Sequence, residues 1–173
     1  GVIAAGVAAG GAYWYRQQKP PPVVRLPVGA EVEPNDGPRT ANLIEPGREV
    51  TGLIQRVSRD KADADLFEFQ VPGPDPLQAA VAVSGVPNVN LALDLFRLPE
   101  GSGDERLPNL AHADDRFLGG EERLTDLKLA PGRYLVRLAD RRRPDEGQGA
   151  PRENTLDPYS LKVELSPLPR FFE

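Results

Sequence analysis

Two acidic loops hold the side chains of this chain that are best suited to chemistry. Residues 31–36 read Glu-Val-Glu-Pro-Asn-Asp, and residues 60–65 read Asp-Lys-Ala-Asp-Ala-Asp. Pro34 prevents a helix in the first loop, so its oxygen-bearing side chains are displayed on extended or turning backbone. A hard cation such as Ca²⁺ takes about six to eight such oxygens. The two loops therefore predict a calcium site, with ordinary acidic turns beside strands as the alternative.

Catalytic chemistry has few candidate residues in this chain. His112 is the single histidine and cysteine is absent, so a two-histidine zinc site, a disulfide and a cysteine nucleophile are all excluded. A Ser-His-Asp triad would need His112 as its base, and no GxSxG motif is present. We expect His112 to be an ordinary loop residue. Asp63 and Asp65 could in principle act as acid and base on a glycoside, but the chain has few aromatic residues to line a sugar cleft. We therefore predict that the chain is not an enzyme.

Charge and composition narrow the class of protein further. The formal net charge is −5 and the sequence pI is near 5.1, which disfavours a nucleic-acid binder, because affinity for phosphate backbones comes from clustered Lys and Arg. Nineteen prolines and seventeen glycines in 173 residues favour turns and short strands over long helices. The composition suits one globular domain with additional chain.

The first 18 residues resemble part of a membrane helix. Residues 1–15 carry no charge, and Tyr13, Trp14 and Tyr15 then form an aromatic cluster of the kind that lies at a membrane interface. Gly6 and Gly10 form a small-xxx-small pair that allows close helix packing. Fifteen residues fall short of the roughly 20 that a complete span needs. We predict a partial transmembrane anchor over 1–18, with a signal-peptide remnant or a flexible leader as the alternative.

A proline-rich linker is predicted over residues 19–30, because Pro20, Pro21 and Pro22 favour an extended, semi-rigid conformation. Arg16 and Lys19 flank the anchor on this side. By the positive-inside rule they favour a cytoplasmic placement of the domain, unless the other flank is more basic.

From about residue 30 onward, short alternating apolar runs divided by turn residues predict an antiparallel β-sandwich. Ala130-Pro131-Gly132 predicts a tight turn across which two strands pair as a hairpin. Long loops are expected over 99–120 and 140–157. The predicted strands cover 49–56, 66–71, 77–85, 90–97, 123–129, 133–140 and 159–165.

Six short motifs follow one another in a particular order and spacing. They are Glu33-Pro34-Asn35-Asp36, Ala41-Asn42-Leu43, Val50-Thr51-Gly52, Asp63-Ala64-Asp65-Leu66-Phe67, Leu129-Ala130-Pro131-Gly132-Arg133-Tyr134 and Tyr159-Ser160-Leu161. This order resembles the bacterial pre-peptidase C-terminal domain family over roughly residues 31–165. The resemblance implies a β-sandwich of jelly-roll type, usually outside the cytoplasm, that serves as an accessory or binding module.

The resemblance also implies particular calcium ligands. The related collagen-binding domains of clostridial collagenases bind calcium through a Glu-x-Glu-x-Asn-Asp segment and aspartates before the next strand. Where family members have no metal here, Asn35 and Asp36 would instead cap the turn through side-chain to backbone hydrogen bonds. The matching residues in this chain are Glu31, Glu33, Asn35 and Asp36 of the first loop and Asp60, Asp63 and Asp65 of the second.

Together these features predict a non-catalytic, membrane-tethered binding module, with the sandwich over 31–166 and a tail over 167–173. Its partner would be a protein or an envelope polysaccharide. We expect an inner-membrane anchor with the domain in the periplasm or at the cell surface, and a cytoplasmic-facing domain stays open. The alternative is a structural subunit of a multiprotein membrane complex. A free binding module should expose an aromatic or charged patch on one sheet, whereas an assembly subunit should bury that face.

Overall fold

The structure is a computed structural model that describes residues 25–55, 63–99, 107–114, 118–141 and 152–169. These residues form nine strands in two sheets. In this part of the chain, no helix is long and apolar enough to cross a membrane. The predicted anchor over 1–18, and Asp60 of the second acidic loop, lie outside the described residues.

One sheet has five strands, which lie in the order β1-β3-β8-β5-β6. Its two-residue first strand runs parallel to its neighbour, and the other neighbours are antiparallel. In chain order these strands are β1 (Asn42–Leu43), β3 (Ala64–Val71), β5 (Leu91–Leu98), β6 (Asn109–Ala113) and β8 (Gly132–Asp140).

The second sheet has four antiparallel strands in the order β2-β9-β4-β7. β9 is the longest strand of the described chain and pairs with both β2 and β4. In chain order the four strands are β2 (Glu49–Ile54), β4 (Leu77–Val83), β7 (Glu122–Leu129) and β9 (Asn154–Pro167).

The core lies between the two sheets because alternate residues of each strand point inward. Aromatic contacts fill this core: within the five-stranded sheet Phe69 stacks on Tyr134 at 5.6 Å between ring centres, and across the two layers Phe67 meets Tyr159 edge-on at 6.3 Å. All four rings are at most 1% exposed. Burying one such side chain contributes roughly 1.5–3 kcal/mol, so these rings contribute substantially to the stability of the core.

The predicted β-sandwich and its seven strands are confirmed, and the jelly-roll designation stays a prediction. The sequence did not predict β1 or β6. β6 lies inside the stretch expected to be the 99–120 loop, so His112 lies on an edge strand and its placement in a loop was wrong. β6 is short and its residues are mostly exposed, so its apolar alternation is weak.

The predicted hairpin across Ala130-Pro131-Gly132 is wrong. β7 and β8 belong to different sheets, so this turn carries the chain from one layer of the sandwich to the other. The Tyr134 hydroxyl donates a hydrogen bond to the Ala130 carbonyl at 2.7 Å and holds the crossing in place. Both strand ends are thereby buried, Leu129 on one sheet and Tyr134 on the other.

The outer face of the five-stranded sheet contains two buried acids that are paired with basic side chains. Asp94 accepts hydrogen bonds from His112 Nδ1 at 2.8 Å, Asn109 Nδ2 at 2.8 Å and Arg137 Nη1 at 3.2 Å. It is only 5% exposed. The single histidine therefore serves to satisfy a buried carboxylate.

The second buried acid, Glu68, fixes the chain that leads into the first acidic loop. Its two carboxylate oxygens accept from Arg133 Nε and Arg25 Nη1, each at 2.7 Å. Arg25 also donates to the Ala41 carbonyl. Burial alone would raise the pKa of Glu68, but the hydrogen bonds and charges of Arg133 and Arg25 outweigh it and lower that pKa.

Replacing Glu68 by Gln should therefore cost stability in a pH-dependent way. A lowered folded pKa stabilises the fold above the unfolded value of about 4.3, and this gain is lost as the pH falls through the folded pKa. We expect Glu68→Gln to lower the unfolding free energy by about 1–3 kcal/mol at pH 7, because it removes the charge that both arginines contact. The loss is limited to this range because both arginines are partly exposed, so solvent screens their charges. Urea unfolding from pH 7 to pH 3 measures it.

The difference between Glu68→Gln and the unmodified chain should shrink below about pH 4. Glu45→Gln is the matched control, since Glu45 pairs with Arg48 on the exposed surface. If the loss of unfolding free energy in Glu68→Gln stays constant from pH 7 to pH 3, the pKa of Glu68 is not lowered by its two arginines.

Candidate metal centre

The candidate site lies at one end of the sandwich interior, where β3 and β9 face each other. Asp65 occupies an inward position of β3, two residues before Phe67, and Tyr159 occupies an inward position of β9. The Tyr159 hydroxyl lies 2.8 Å from Asp65 Oδ2. It also lies 2.7 Å from Oε2 of Glu31, which comes from the first acidic loop. Both sheets and the first loop thus meet at one hydroxyl group.

Five of the seven predicted ligands converge here as two groups that share Glu33. One group is Glu31, Glu33 and Asp65, and the other is Glu33, Asp36 and Asp63. Within each group, one carboxylate oxygen per residue lies within 4.8 Å of the others. Glu33 and Asp36 are exposed, so solvent and ions reach the cluster from the first loop. Asn35 is fully buried beside them, and Asp60 lies outside the described residues.

The first loop is held along the free edge of β2. The Glu31 backbone N–H donates to the Thr51 carbonyl at 2.8 Å, and the Thr51 N–H donates to the Gly29 carbonyl at 3.3 Å. The next edge N–H, of Leu53, donates to Glu31 Oε1 at 2.8 Å. The Gln55 N–H donates to Asp63 Oδ2 at 3.0 Å. Two candidate ligands therefore also satisfy the backbone donors of an edge strand.

Asn42 positions the middle of the first loop. Its side-chain amide exchanges two hydrogen bonds with the Val32 backbone, accepting at 2.7 Å and donating at 2.9 Å, as a neighbouring strand would. The Leu66 N–H donates to the Asn35 carbonyl at 3.1 Å. These contacts fix both ends of the Glu33-Pro34 step, and they direct the Asn35 side chain inward.

Like charges and burial shift the acid equilibria of the cluster. Burial raises the pKa of Asp65 to about 9, and the charges of Glu31 and Asp63 add to the rise, while the Tyr159 hydrogen bond opposes it. Burial also raises the pKa of Glu33, with further contributions from Asp63 and Glu31. Without a cation, the cluster therefore holds Asp65 protonated at neutral pH.

The hydrogen bonds of Tyr159 agree with a protonated Asp65. A phenol has one O–H and can donate to one carboxylate only, yet both Glu31 and Asp65 oxygens lie within 2.8 Å of it. If Tyr159 donates to Glu31, Asp65 must donate to Tyr159 and so carries the shared proton. A cation bound here would displace this proton.

Two buried polar groups at the site have no hydrogen-bond partner within the described residues. They are the whole side-chain amide of Asn35 and the Oδ1 atom of Asp65. Leaving such a group unsatisfied costs about 1–3 kcal/mol. A hard cation would satisfy both oxygens, and an all-oxygen donor set is what calcium requires. The residues therefore fit a calcium ion. For Asn35 the alternative of turn capping is wrong, because the side chain caps nothing in the described chain.

Sequence reasoning missed three residues that build this site. In the sequence, these three residues are recognisable only as parts of the motifs that carry the family resemblance. They are Asn42, Gly52 and Tyr159. Tyr159 offered a signal, because a tyrosine on an inward strand position needs a partner for its hydroxyl. Gly52 and Asn42 offered none, since their roles depend on contacts between strands that are distant in the sequence.

Comparisons with known proteins find similar folds among solved structures. No protein-family model and no curated protein matches the chain. The pre-peptidase C-terminal domain of a collagenase from Bacillus anthracis is similar, with 16% identity, coverage of 72% of this chain and 94% of that one, and a TM-score of 0.47. A periplasmic inhibitor of g-type lysozyme from Aeromonas hydrophila is also similar, with 16% identity, coverage of 68% and 84%, and a TM-score of 0.38. The first is a domain of the family that the sequence motifs resemble.

Gly52 allows the cluster to form, and a methyl group there should disrupt it. A Cβ atom at Gly52 would overlap the Tyr159 hydroxyl and Glu31 Oε2. We expect Gly52→Ala to lower the unfolding free energy by about 1–3 kcal/mol, as overpacking usually does. Gly29→Ala is the matched control, because a Cβ there meets nothing within 4 Å. Urea unfolding of both variants checks this, and an equal effect of the two would contradict it.

Proposed function

We propose that this chain is a non-catalytic β-sandwich binding module whose first loop is held to the sandwich by calcium. The observation that carries the proposal is the cluster of five carboxylates, beside which the Asn35 amide and one Asp65 oxygen are buried without a hydrogen-bond partner among the described residues. Such an arrangement is costly without a cation and favourable with one.

Five carboxylates and the side-chain oxygen Oδ1 of Asn35 would hold the ion. The carboxylates are those of Glu31, Glu33, Asp36, Asp63 and Asp65. Bound calcium would supply positive charge that offsets the repulsion among these acids. It would also join residues of the first loop to the start of β3, so that unfolding of either would require loss of the ion. Asp60 stays a predicted ligand.

The cluster is a poor acid-base site. Asp63 and Asp65 are 2% and 0% exposed, so a glycoside cannot reach between them. His112 is bonded to Asp94 on the outer face of the sheet. These placements support a role in binding and stability over catalysis.

Calcium should stabilise the full chain measurably. At a free calcium concentration of about 100 times the dissociation constant, a ligand of the folded state adds about 2.7 kcal/mol. We expect the thermal midpoint to rise in millimolar calcium relative to excess chelator. Asp36→Ala and Asp63→Ala should abolish the rise.

Asp75→Ala is the control for the calcium experiment, because Asp75 is exposed on the connection between β3 and β4. It should keep the full calcium-dependent rise. A midpoint that is the same with calcium and with chelator for the unmodified chain would remove the calcium proposal.

We further propose that residues 1–18 anchor the module to the inner membrane, with the sandwich in the periplasm or at the cell surface and a protein partner bound there. The uncharged run and the aromatic cluster at Tyr13, Trp14 and Tyr15 support the anchor. The strands begin some twenty residues later, beyond the proline-rich stretch, which leaves room for a spacer.

Vesicle flotation tests the anchor. The full chain should float with phospholipid vesicles, whereas a variant without residues 1–18 should remain at the bottom of the gradient. Flotation should persist in 1 M salt, because the anchor acts through apolar burial and not through charge. If the full chain and the deletion variant behave alike, the anchor is not in this segment.

A further inference from the structure

A cavity of about 600 Å³ opens at the opposite end of the five-stranded sheet from the acidic cluster. The strand register places Gln70 of β3, Arg133 of β8 and Leu98 of β5 side by side there. Arg97 also borders it. None of the described residues that line this cavity is acidic.

The cavity carries a local surplus of positive charge. Arg133 shares the single carboxylate of Glu68 with Arg25. Arg97 forms no ion pair with any described acid. Among the described residues, Arg97 and Arg133 therefore bring two positive charges to the cavity, against one carboxylate that Arg133 shares with Arg25, in a chain whose formal net charge is −5. A basic patch on an acidic protein attracts an anionic ligand selectively.

Two contacts fix the side chain of Arg97 in a position where an anionic ligand can reach it. Its Nη2 donates to the Pro131 carbonyl at 3.1 Å, and its guanidinium carbon lies 5.9 Å from the Tyr134 ring centre. A planar guanidinium fixed in this way loses little entropy when its free N–H groups bind a carboxylate in a bidentate manner.

The rest of the cavity suits a peptide chain. Leu98, Pro99 and Pro108 provide aliphatic walls. The exposed Gln70 amide has no hydrogen-bond partner within the described part, so it is available to a peptide backbone. No aromatic side chain is among the described residues that line this cavity. These residues therefore offer a sugar ring no aromatic face to stack on.

We propose that this cavity binds an acidic segment of a protein partner, with a carboxylate on Arg97 and Arg133 and a neighbouring apolar side chain against Leu98 and the prolines. This inference rests on the proposed function as a binding module and names the surface and the class of partner. The charged patch is also what a free binding module should expose, in contrast to an assembly subunit.

Fluorescence polarisation of the full chain in calcium tests the proposal. The probe is a fluorescein-labelled peptide of alternating glutamate and leucine, and a peptide with glutamine in place of glutamate is its control. We expect saturable binding of the acidic peptide only. Polygalacturonate, a carboxylated polysaccharide, should compete weakly.

Three variants locate the binding. Arg97→Gln should weaken the acidic peptide at least tenfold, and Arg97→Lys should give an intermediate loss, because lysine keeps the charge without the planar fork. Arg123→Gln is the matched control, since Arg123 is exposed on β7 of the other sheet. It should bind like the unmodified chain. Unchanged thermal midpoints of all three variants show that they fold.

The proposal is overturned if the acidic peptide does not bind, if Arg123→Gln weakens it as much as Arg97→Gln, or if only polygalacturonate binds in an Arg97-dependent manner. The calcium-dependent rise in thermal midpoint is measured on the same samples. If the peptide does not bind but calcium still raises the thermal midpoint, the peptide site is wrong and the calcium proposal stands. Peptide binding without a calcium effect removes the calcium proposal and leaves the peptide site standing.

Discussion

The fold depends on a tight group of carboxylates placed where its two sheets and its first loop meet. Two charges 4 Å apart repel by about 4 kcal/mol at an effective dielectric constant of 20, and here each group of oxygens lies within 4.8 Å. The chain reduces this cost with hydrogen bonds from Leu53, Gln55 and Tyr159 and with a proton on Asp65. The position of the first loop follows from the same contacts.

Two buried acids on the outer face of the five-stranded sheet are satisfied differently. Glu68 is paired with Arg25 and Arg133, and Asp94 is paired with Arg137 and hydrogen-bonded to His112. Asp65, although fully buried, has only the Tyr159 hydroxyl as a hydrogen-bond partner among the described residues. Arginine lies beside two of these buried acids, whereas Asp65 has a hydroxyl, so at Asp65 the proposed calcium ion would supply the positive charge in place of the proton. This contrast supports the calcium proposal independently of any family resemblance.

Most of the strands could be predicted from the sequence, because a strand with one buried face alternates apolar and polar residues. The spacing of Asp63 and Asp65 before an alternating strand likewise pointed to the cluster. Pairing partners could not be predicted: the turn at Pro131 is compatible with a hairpin and with a crossing between sheets, and burial of Tyr134 decided between them. The contacts of Gly52 with Glu31 and Tyr159 join residues far apart in the chain, so local sequence patterns could not predict them.

The two proposed sites lie at opposite ends of one strand, which fixes their relation. Asp65 is the second residue of β3 and Gln70 the second from its end, a separation of five residues or about 17 Å along a strand. Arg133, which borders the cavity, shares Glu68 with Arg25, which precedes the first loop. Because β3 pairs with β8 along its whole length, the two ends cannot move independently. The proposed calcium site and the arginine-lined cavity are therefore held at a fixed distance from each other by the sheet itself.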